Sequence, residues 1–165
     1  MTILVVNDDG YQSFVSNNFV LELRAQGYNV YSFFPEQNYS GAGSSVTLSR
    51  EMIYYRISPM NYIVQGTPTD CCLLGLEMVP SPSLIISGIN KGLNIGLARK
   101  YSGTLGAMKE GIARNIPCIS ISADEDVYRH YIATGKFNRL FRLIEYYKEE
   151  LYSGPVYGQF KYCQS

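Results

Sequence analysis

Short apolar runs alternate along this chain with stretches of helical periodicity. Apolar runs bounded by turn residues, as expected for strands buried on both faces, occur at 3–6, 29–34, 84–87 and 118–122. Helices with apolar side chains on one face are predicted over 17–26, 68–78, 103–114 and 137–151. This alternation of strand and helix predicts an α/β fold, in which a mostly parallel sheet lies between two layers of helices.

The same pattern predicts a single domain over residues 1–152. A chain of 165 residues is long enough for one domain with a substantial core. Residues 46–65 are predicted to add extra strands or a hairpin to the sheet. Residues 153–165 carry no clear apolar periodicity, and we expect an irregular tail there.

Composition narrows the class of protein. Hydrophobic residues make up 46% of the chain and charged residues 17%, which indicates a globular protein. The formal net charge is +0, so no broad electrostatic field favours a nucleic-acid polymer or an anionic membrane as partner. No apolar run approaches the ~20 residues that cross a bilayer, and the N-terminus lacks the features of a signal peptide. We therefore expect a cytoplasmic protein.

Cysteine and histidine usage argues against one kind of metal site. The four cysteines form no C-x-x-C pair, and His130 is the single histidine. A zinc site of the Cys/His type is therefore not expected, and Cys71 and Cys72 are interpreted as small apolar residues on a helix. Because His130 lies outside every motif, we interpret it as a surface or packing residue rather than a catalytic base.

Two adjacent carboxylates, Asp8 and Asp9, follow the first predicted strand. A bound cation usually relieves the repulsion between such neighbours. Polar, glycine-rich loops follow the second and third strands at 38–45 and 88–96. Because parallel strands bring their carboxyl ends to one edge of a sheet, we expect the three loops to meet. Oxygen ligands at this edge suit a hard cation such as Mg²⁺, Mn²⁺ or Ca²⁺.

The same edge carries the features of an anion site. Glycines let backbone N–H groups approach an anion closely. Ser102-Gly103-Thr104 then opens a predicted helix, and helix N-termini attract phosphate. A cation site beside an anion site indicates metal-assisted phosphoryl chemistry. Taken singly, each feature also has a purely structural explanation as an acidic turn, a glycine turn or a helix N-cap at Ser102.

Five segments together carry a resemblance to a known family. They are Asn7-Asp8-Asp9-Gly10-Tyr11, Ser40-Gly41-Ala42-Gly43-Ser44-Ser45-Val46-Thr47, Gly66-Thr67-Pro68-Thr69-Asp70-Cys71, Ser87-Gly88-Ile89-Asn90-Lys91-Gly92-Leu93-Asn94-Ile95-Gly96 and Tyr101-Ser102-Gly103-Thr104. In this order and spacing the chain resembles the SurE family, the stationary-phase survival proteins that are 5'/3'-nucleotidases. The resemblance implies a Rossmann-like three-layer sandwich that assembles as dimers or tetramers. It also implies a divalent-metal-dependent phosphatase that acts on nucleoside monophosphates.

The resemblance also implies roles for individual residues. One divalent metal ion, Mg²⁺ or Mn²⁺, is expected to be held by Asp8, Asp9, Ser40 and Asn90. The phosphate-binding positions of the family correspond to Asn94, Ser102, Gly103 and Thr104.

Our mechanistic hypothesis is direct hydrolysis, in which water activated at the metal attacks phosphorus. Asp8 is the expected proton acceptor, and Asn94, Ser102 and Thr104 are expected to stabilise charge on the phosphate oxygens. A route through an aspartyl-phosphate stays open, because a carboxylate beside a metal can also act as a nucleophile.

The chain departs from the family pattern at three places. Residues 12–16 read Gln-Ser-Phe-Val-Ser, where the family usually has small residues and a Pro-Gly pair. Residues 97–100 (Leu-Ala-Arg-Lys) stand where the family has acidic residues. Family members usually continue well beyond Ser165, so we expect a C-terminally shortened member. One alternative is a catalytically impaired SurE-like protein that binds metal or nucleotide. Another is a receiver-like signalling domain, which would need an acceptor Asp where this chain has Gly88-Ile89-Asn90.

Overall fold

A seven-stranded sheet lies at the centre of the computed structural model, which describes residues 1–151 and 157–162. In chain order its strands are β1 (Thr2–Val6), β2 (Asn29–Pro35), β3 (Tyr54–Ser58), β4 (Asn61–Val64), β5 (Leu84–Lys91), β6 (Cys118–Ala123) and β7 (Tyr157–Tyr162). Their spatial order is β3-β4-β2-β1-β5-β6-β7. All neighbouring pairs are parallel except β3 and β4, which form an antiparallel hairpin at one edge.

Helices connect the strands and cover both faces of the sheet. In chain order they are α1 (Phe14–Ala25), α2 (Pro68–Met78), a short 3₁₀ helix (Gly96–Lys100), α3 (Gly103–Ala113), α4 (Glu125–Thr134) and α5 (Asn138–Leu151). Side-chain caps fix where several of them begin. The hydroxyl of Ser13 accepts from the Ser16 N–H at the start of α1, and Asp124 accepts from the Val127 N–H at the start of α4.

Alternation along β1 divides the core into two layers. Ile3 and Val5 pack with α1, α4 and α5 on one face of the sheet, whereas Leu4 and Val6 pack with α2 and α3 on the other. All four side chains are fully buried, as expected for a central strand covered on both faces. The predicted three-layer α/β fold is therefore confirmed.

The predicted strands correspond to β1, β2, β5 and β6, and the predicted insertion at 46–65 contains the hairpin of β3 and β4. The first predicted helix begins earlier than expected, at Phe14, because Ser13 caps it. Helix α4 was not predicted. Its apolar side is short, with Val127, Tyr128 and Tyr131 as its buried residues.

The expected irregular tail over 153–165 is corrected for residues 157–162, which form β7 and pair in parallel with β6. A strand at the edge of a sheet pairs through its backbone and needs no continuous apolar run, so its sequence signal is weak. Residues 153–156 and 163–165 of that tail lie outside the described residues. Within the described part of the chain, no helix is long and apolar enough to cross a membrane.

Candidate functional site

A cavity of about 320 Å³ opens where β1 and β5 end, at the carboxyl edge of the sheet. Five of the predicted site residues line it: Asp8, Ser40, Asn90, Asn94 and Ser102. The remaining three, Asp9, Gly103 and Thr104, contact the lining residues or their immediate neighbours. The structure therefore brings together side chains from three loops and from the start of α3.

Asp8 joins the end of β1 to the beginning of α3. Its side chain is 3% exposed. Its Oδ1 accepts a hydrogen bond of 2.8 Å from the Thr104 hydroxyl, and its Oδ2 accepts one of 3.3 Å from the Thr104 N–H. Burial nevertheless raises the pKa of Asp8, because the two hydrogen bonds only partly offset the loss of solvent.

Because Gly103 has no side chain, the beginning of α3 can lie close to Asp8. A Cβ at position 103 would lie 3.0 Å from the Asp8 Cβ and 3.0 Å from the Pro68 ring. A larger residue would therefore push the N-terminus of α3 away from the carboxylate. Both donors of Thr104 serve Asp8, so in this structure Thr104 orients the carboxylate rather than presenting its hydroxyl to the cavity.

Asp9 is half-buried beside Asp8 and is held by the backbone of the neighbouring strand. Its Oδ2 accepts a hydrogen bond of 3.3 Å from the Lys91 N–H, and the hydroxyl of Tyr128 on α4 lies close enough to influence the pKa of this carboxylate. Burial and the adjacent charge of Asp8 raise the pKa of Asp9 to about 6. The repulsion expected for this carboxylate pair is therefore present in the folded protein.

A closed turn presents the two carboxylates. The Asn7 side chain donates to the Gly10 carbonyl at 3.0 Å, and its Oδ1 accepts from the Gly10 N–H at 3.2 Å. The Asp8 carbonyl then accepts from the Tyr39 N–H at 2.8 Å, which brings the loop of Ser40 to the same edge. Ser40 itself is exposed and lines the cavity.

Asn90 stands at an irregularity in the sheet. The register between β5 and β6 shifts between Ser87 and Asn90, which changes the direction of the strand at this point. Asn90 is 7% exposed, and its Nδ2 donates to the Gly92 carbonyl at 2.6 Å. Because Nδ2 of Asn90 already donates this hydrogen bond, Oδ1 of Asn90 is the atom suited to bind a cation.

Ser102 and Asn94 also line the cavity. Ser102 caps α3, and its Oγ accepts from the Leu105 N–H at 3.1 Å. The hydroxyl proton of Ser102 is not used by this cap and can be donated elsewhere. The Asn94 N–H donates to the Ser122 hydroxyl at 3.5 Å, and both Asn94 and Ser102 are buried.

Several known proteins similar to this chain come from one family. The family model described as "Survival protein SurE" matches residues 3–155. The chain belongs to the SurE family. It is 34% identical over 158 residues to the 5'-nucleotidase SurE of Methylobacillus flagellatus, covering 94% of this chain and 63% of that protein. It is 39% identical over 143 residues to the 5'-nucleotidase SurE of Pelotomaculum thermopropionicum, covering 82% of this chain and 55% of that protein.

A solved structure of the family has the same fold. The crystal structure of the SurE protein from Aquifex aeolicus superposes with a TM-score of 0.78 and 29% sequence identity. The superposition covers 99% of this chain and 67% of the Aquifex chain. The chain thus spans less than two thirds of the length of the two curated SurE relatives described above.

The donor set of this SurE chain suits a hard cation. Among the described residues, no group of three or more His, Cys, Asp or Glu side chains could hold a metal. The carboxylate of Asp8 and the hydroxyl and amide oxygens of Ser40 and Asn90 line the cavity instead, and the carboxylate of Asp9 accepts from the N–H of Lys91, another lining residue. An all-oxygen set with two carboxylates is the chemistry preferred by Mg²⁺ and Mn²⁺ rather than by zinc.

Three cysteines and the single histidine lie outside the predicted site. The thiols of Cys71, Cys72 and Cys118 are buried and unpaired, and burial raises the pKa of Cys118 to about 12. His130 is exposed on α4, as expected for a surface residue.

Sequence reasoning missed two residues near the SurE site. Lys91 lines the cavity, and its ammonium group lies 3.3 Å from the Glu125 carboxylate. Its position directly after Asn90 in a motif could have indicated this location. Tyr128 was missed because α4 was not predicted, so nothing linked it to Asp9.

The metal-free protein is expected to be more stable at pH 5 than at pH 7. The folded state raises the pKa of Asp9 to about 6 and also raises that of Asp8. The folded protein then binds protons more tightly than the unfolded chain, so stability increases as the pH falls through about 6. Glu125 has a lowered pKa and acts in the opposite direction, but it is fully exposed and its effect is small.

Thermal unfolding followed by circular dichroism in the presence of a chelator measures this dependence. Asp9→Asn serves as the comparison, because it removes one of the two groups and should flatten the profile. A melting temperature that falls on acidification from pH 7 to pH 5 would contradict the assignment.

Proposed function

We propose that this SurE chain is a divalent-metal-dependent phosphatase that hydrolyses nucleoside monophosphates. The observation that carries the proposal is the contact between Asp8 and Thr104, which joins the carboxylate pair to the N-terminus of α3. A cation held by the carboxylates would lie beside a helix terminus that favours phosphate. The curated relatives are named 5'-nucleotidases, which supports the same substrate class.

Four residues are proposed to hold the metal: Asp8, Asp9, Ser40 and Asn90. Asp8, Ser40 and Asn90 line the cavity and Asp9 is hydrogen-bonded to the lining residue Lys91, which supports this set. The repulsion between the two carboxylates would favour a cation beside them. When bound, the Mg²⁺ or Mn²⁺ ion would lower the pKa of a water molecule and neutralise charge on the phosphate oxygens. Thr104 orients Asp8 through its hydroxyl and N–H groups.

The substrate phosphate is proposed to lie between the carboxylates and the start of α3. The Ser102 hydroxyl and the Asn94 side chain are the proposed donors to its oxygens, helped by the backbone of Gly103. A carboxylate of the Asp8–Asp9 pair would accept the proton that water loses as its oxygen bonds to phosphorus. The P–O bond to the nucleoside breaks in the same displacement, and this proton would then pass to the leaving alkoxide. The hydrogen bonds of Thr104 keep Asp8 in one orientation during this step, which limits the geometric cost of reaction.

We also propose a cellular location and an oligomeric state for this protein. The buried, unpaired thiols are consistent with a reducing compartment, and we propose a cytoplasmic location. Assembly into dimers or tetramers is proposed from the family resemblance alone.

Phosphate release by the purified protein tests the proposal. With p-nitrophenyl phosphate or nucleoside monophosphates and Mn²⁺ or Mg²⁺, we expect turnover that falls by at least about 10²-fold in excess chelator. Activity should return when the metal is added back, which separates metal loss from denaturation. Binding of metal without turnover of any substrate would favour the impaired, ligand-binding alternative instead.

A further inference from the structure

The loop of residues 40–47, which carries Ser40, is tied to the core by a buried carboxylate on α2. Asp70 is fully buried. Its Oδ1 accepts a hydrogen bond of 3.0 Å from the Thr47 N–H, and its Oδ2 accepts one of 2.6 Å from the Thr47 hydroxyl. A buried carboxylate needs donors of this kind, so the loop and the helix depend on each other.

The start of α2 is capped without the contact between Asp70 and Thr47. Asp70 and Thr67 already form a reciprocal cap, in which the Thr67 N–H donates to Asp70 Oδ2 at 2.8 Å and the Asp70 N–H donates to the Thr67 hydroxyl at 3.1 Å. The Thr67 hydroxyl also donates to the Ser45 carbonyl at 2.6 Å. Both capping residues therefore hold the 40–47 loop as well as the helix.

The middle of the loop rests on α3, beside the cavity. The Gly43 N–H donates to the Tyr101 carbonyl at 2.9 Å, and Lys109 donates to the Ser44 hydroxyl at 3.0 Å. The loop thus runs from the cavity at Ser40, across the start of α3, to the carboxylate of Asp70. Most of this segment is exposed, so its path between Thr47 and Ser40 depends on these few hydrogen bonds.

We propose that Asp70 is a positioning residue for the metal site. Through Thr47 it fixes the path of the 40–47 loop and so the place of the Ser40 hydroxyl among the cation ligands. This inference rests on the proposed function, in which Ser40 is a metal ligand. Asp70 itself does not line the cavity.

The contact between Asp70 and Thr47 acts as a tether for the 40–47 loop, and two variants test it. A third variant controls for the loss of a buried hydroxyl group. Thr47→Val removes the hydroxyl donor to Asp70 and keeps the backbone donor. Asp70→Asn replaces one carboxylate oxygen with an amino group, which cannot accept the hydrogen bond that Thr47 or Thr67 now donates to that oxygen. Thr69→Val is the matched control, because Thr69 is fully buried on α2 and its hydroxyl makes no hydrogen bond within the described part of the chain.

Two measurements are made on the full chain. Amide hydrogen exchange of residues 40–47 is followed without metal, and the dissociation constant for Mn²⁺ is followed by electron paramagnetic resonance. We expect faster exchange in Thr47→Val and Asp70→Asn, and a Mn²⁺ dissociation constant raised by about tenfold in Asp70→Asn. The smaller change in Thr47→Val should weaken binding less, and Thr69→Val should match the wild type in both measurements.

The other outcomes separate the inference from the proposed function. Unchanged exchange in Thr47→Val and Asp70→Asn would overturn the tether. Faster exchange with an unchanged Mn²⁺ dissociation constant would overturn the positioning role. A wild-type protein that binds no Mn²⁺ would refute the proposed function, while the exchange measurement still reports on the tether because it needs no metal.

Discussion

Asp8→Asn is expected to lower the metal-dependent phosphatase rate by at least about 10³-fold, the largest effect of any single polar substitution in the cavity. The change removes half of the negative charge that we propose to hold the cation. It also removes the carboxylate that Thr104 orients. Steady-state kinetics with p-nitrophenyl phosphate at saturating Mn²⁺ measures the effect.

This variant should keep its fold, which makes the result interpretable. The asparagine oxygen can still accept from the Thr104 N–H, and the Thr104 hydroxyl can rotate to accept from the new amino group. Because burial penalises the charged form of Asp8, the metal-free variant should melt at or above the wild-type temperature.

Asp124→Asn is the matched control for Asp8→Asn. Asp124 caps α4 through the Val127 N–H at 2.9 Å, and asparagine is an equally good N-cap. We expect its activity to stay near the wild-type level. If Asp8→Asn kept wild-type turnover, the proposed site would be wrong.

Gly106→Ala is expected to damage both the site and the fold. A Cβ at position 106 would lie 2.2 Å from the Gly43 carbonyl oxygen and 2.8 Å from its carbon, so α3 and the 40–47 loop must separate. The clash should cost about 1–3 kcal/mol, against a gain in helix propensity of at most about 1 kcal/mol. Because the loop carries Ser40, we expect kcat/KM to fall by about 10²-fold.

The comparison with Gly111→Ala isolates the effect on the loop. Gly111 lies in the same helix, but its Cβ would meet the side chains of Cys118 and Ile85 at 2.4 Å, in the core away from the cavity. This variant should lower the melting temperature while kcat/KM stays near the wild-type value at temperatures where it is folded. Equal losses of kcat/KM in both variants would show that the contact between Gly106 and Gly43 has no special role.

The sequence predicted the parts of the fold that local patterns encode. The buried runs of β1, β2, β5 and β6 are apolar because helices cover both faces of the sheet, and such runs are recognisable one by one. The predicted loops meet because parallel strands place their carboxyl ends at one edge. Strand β7 and helix α4 were missed because an edge strand and a short amphipathic helix carry weak apolar signals.

Pairwise contacts between distant segments could not be predicted in the same way. Asp8 and Thr104 are 96 residues apart, and only the order of the sheet brings α3 against the end of β1. The resemblance gave Thr104 a place in the phosphate site, but nothing in the spacing showed that both of its donors serve Asp8. Asp70 stands three residues after Thr67, a spacing typical of a capping acid, whereas its contact with Thr47 depends on how the 40–47 loop packs.

Because the cavity is built from segments between residues 8 and 102, its occupancy is linked thermodynamically to the whole fold. Unfolding either half of the sheet would remove ligands contributed by the other half. A cation present at about 100 times its dissociation constant would therefore add about 2.7 kcal/mol to the global free energy of unfolding, rather than stiffening one loop. With a metal bound as proposed, the supply of that metal in a cell would then affect how long the protein survives proteolysis.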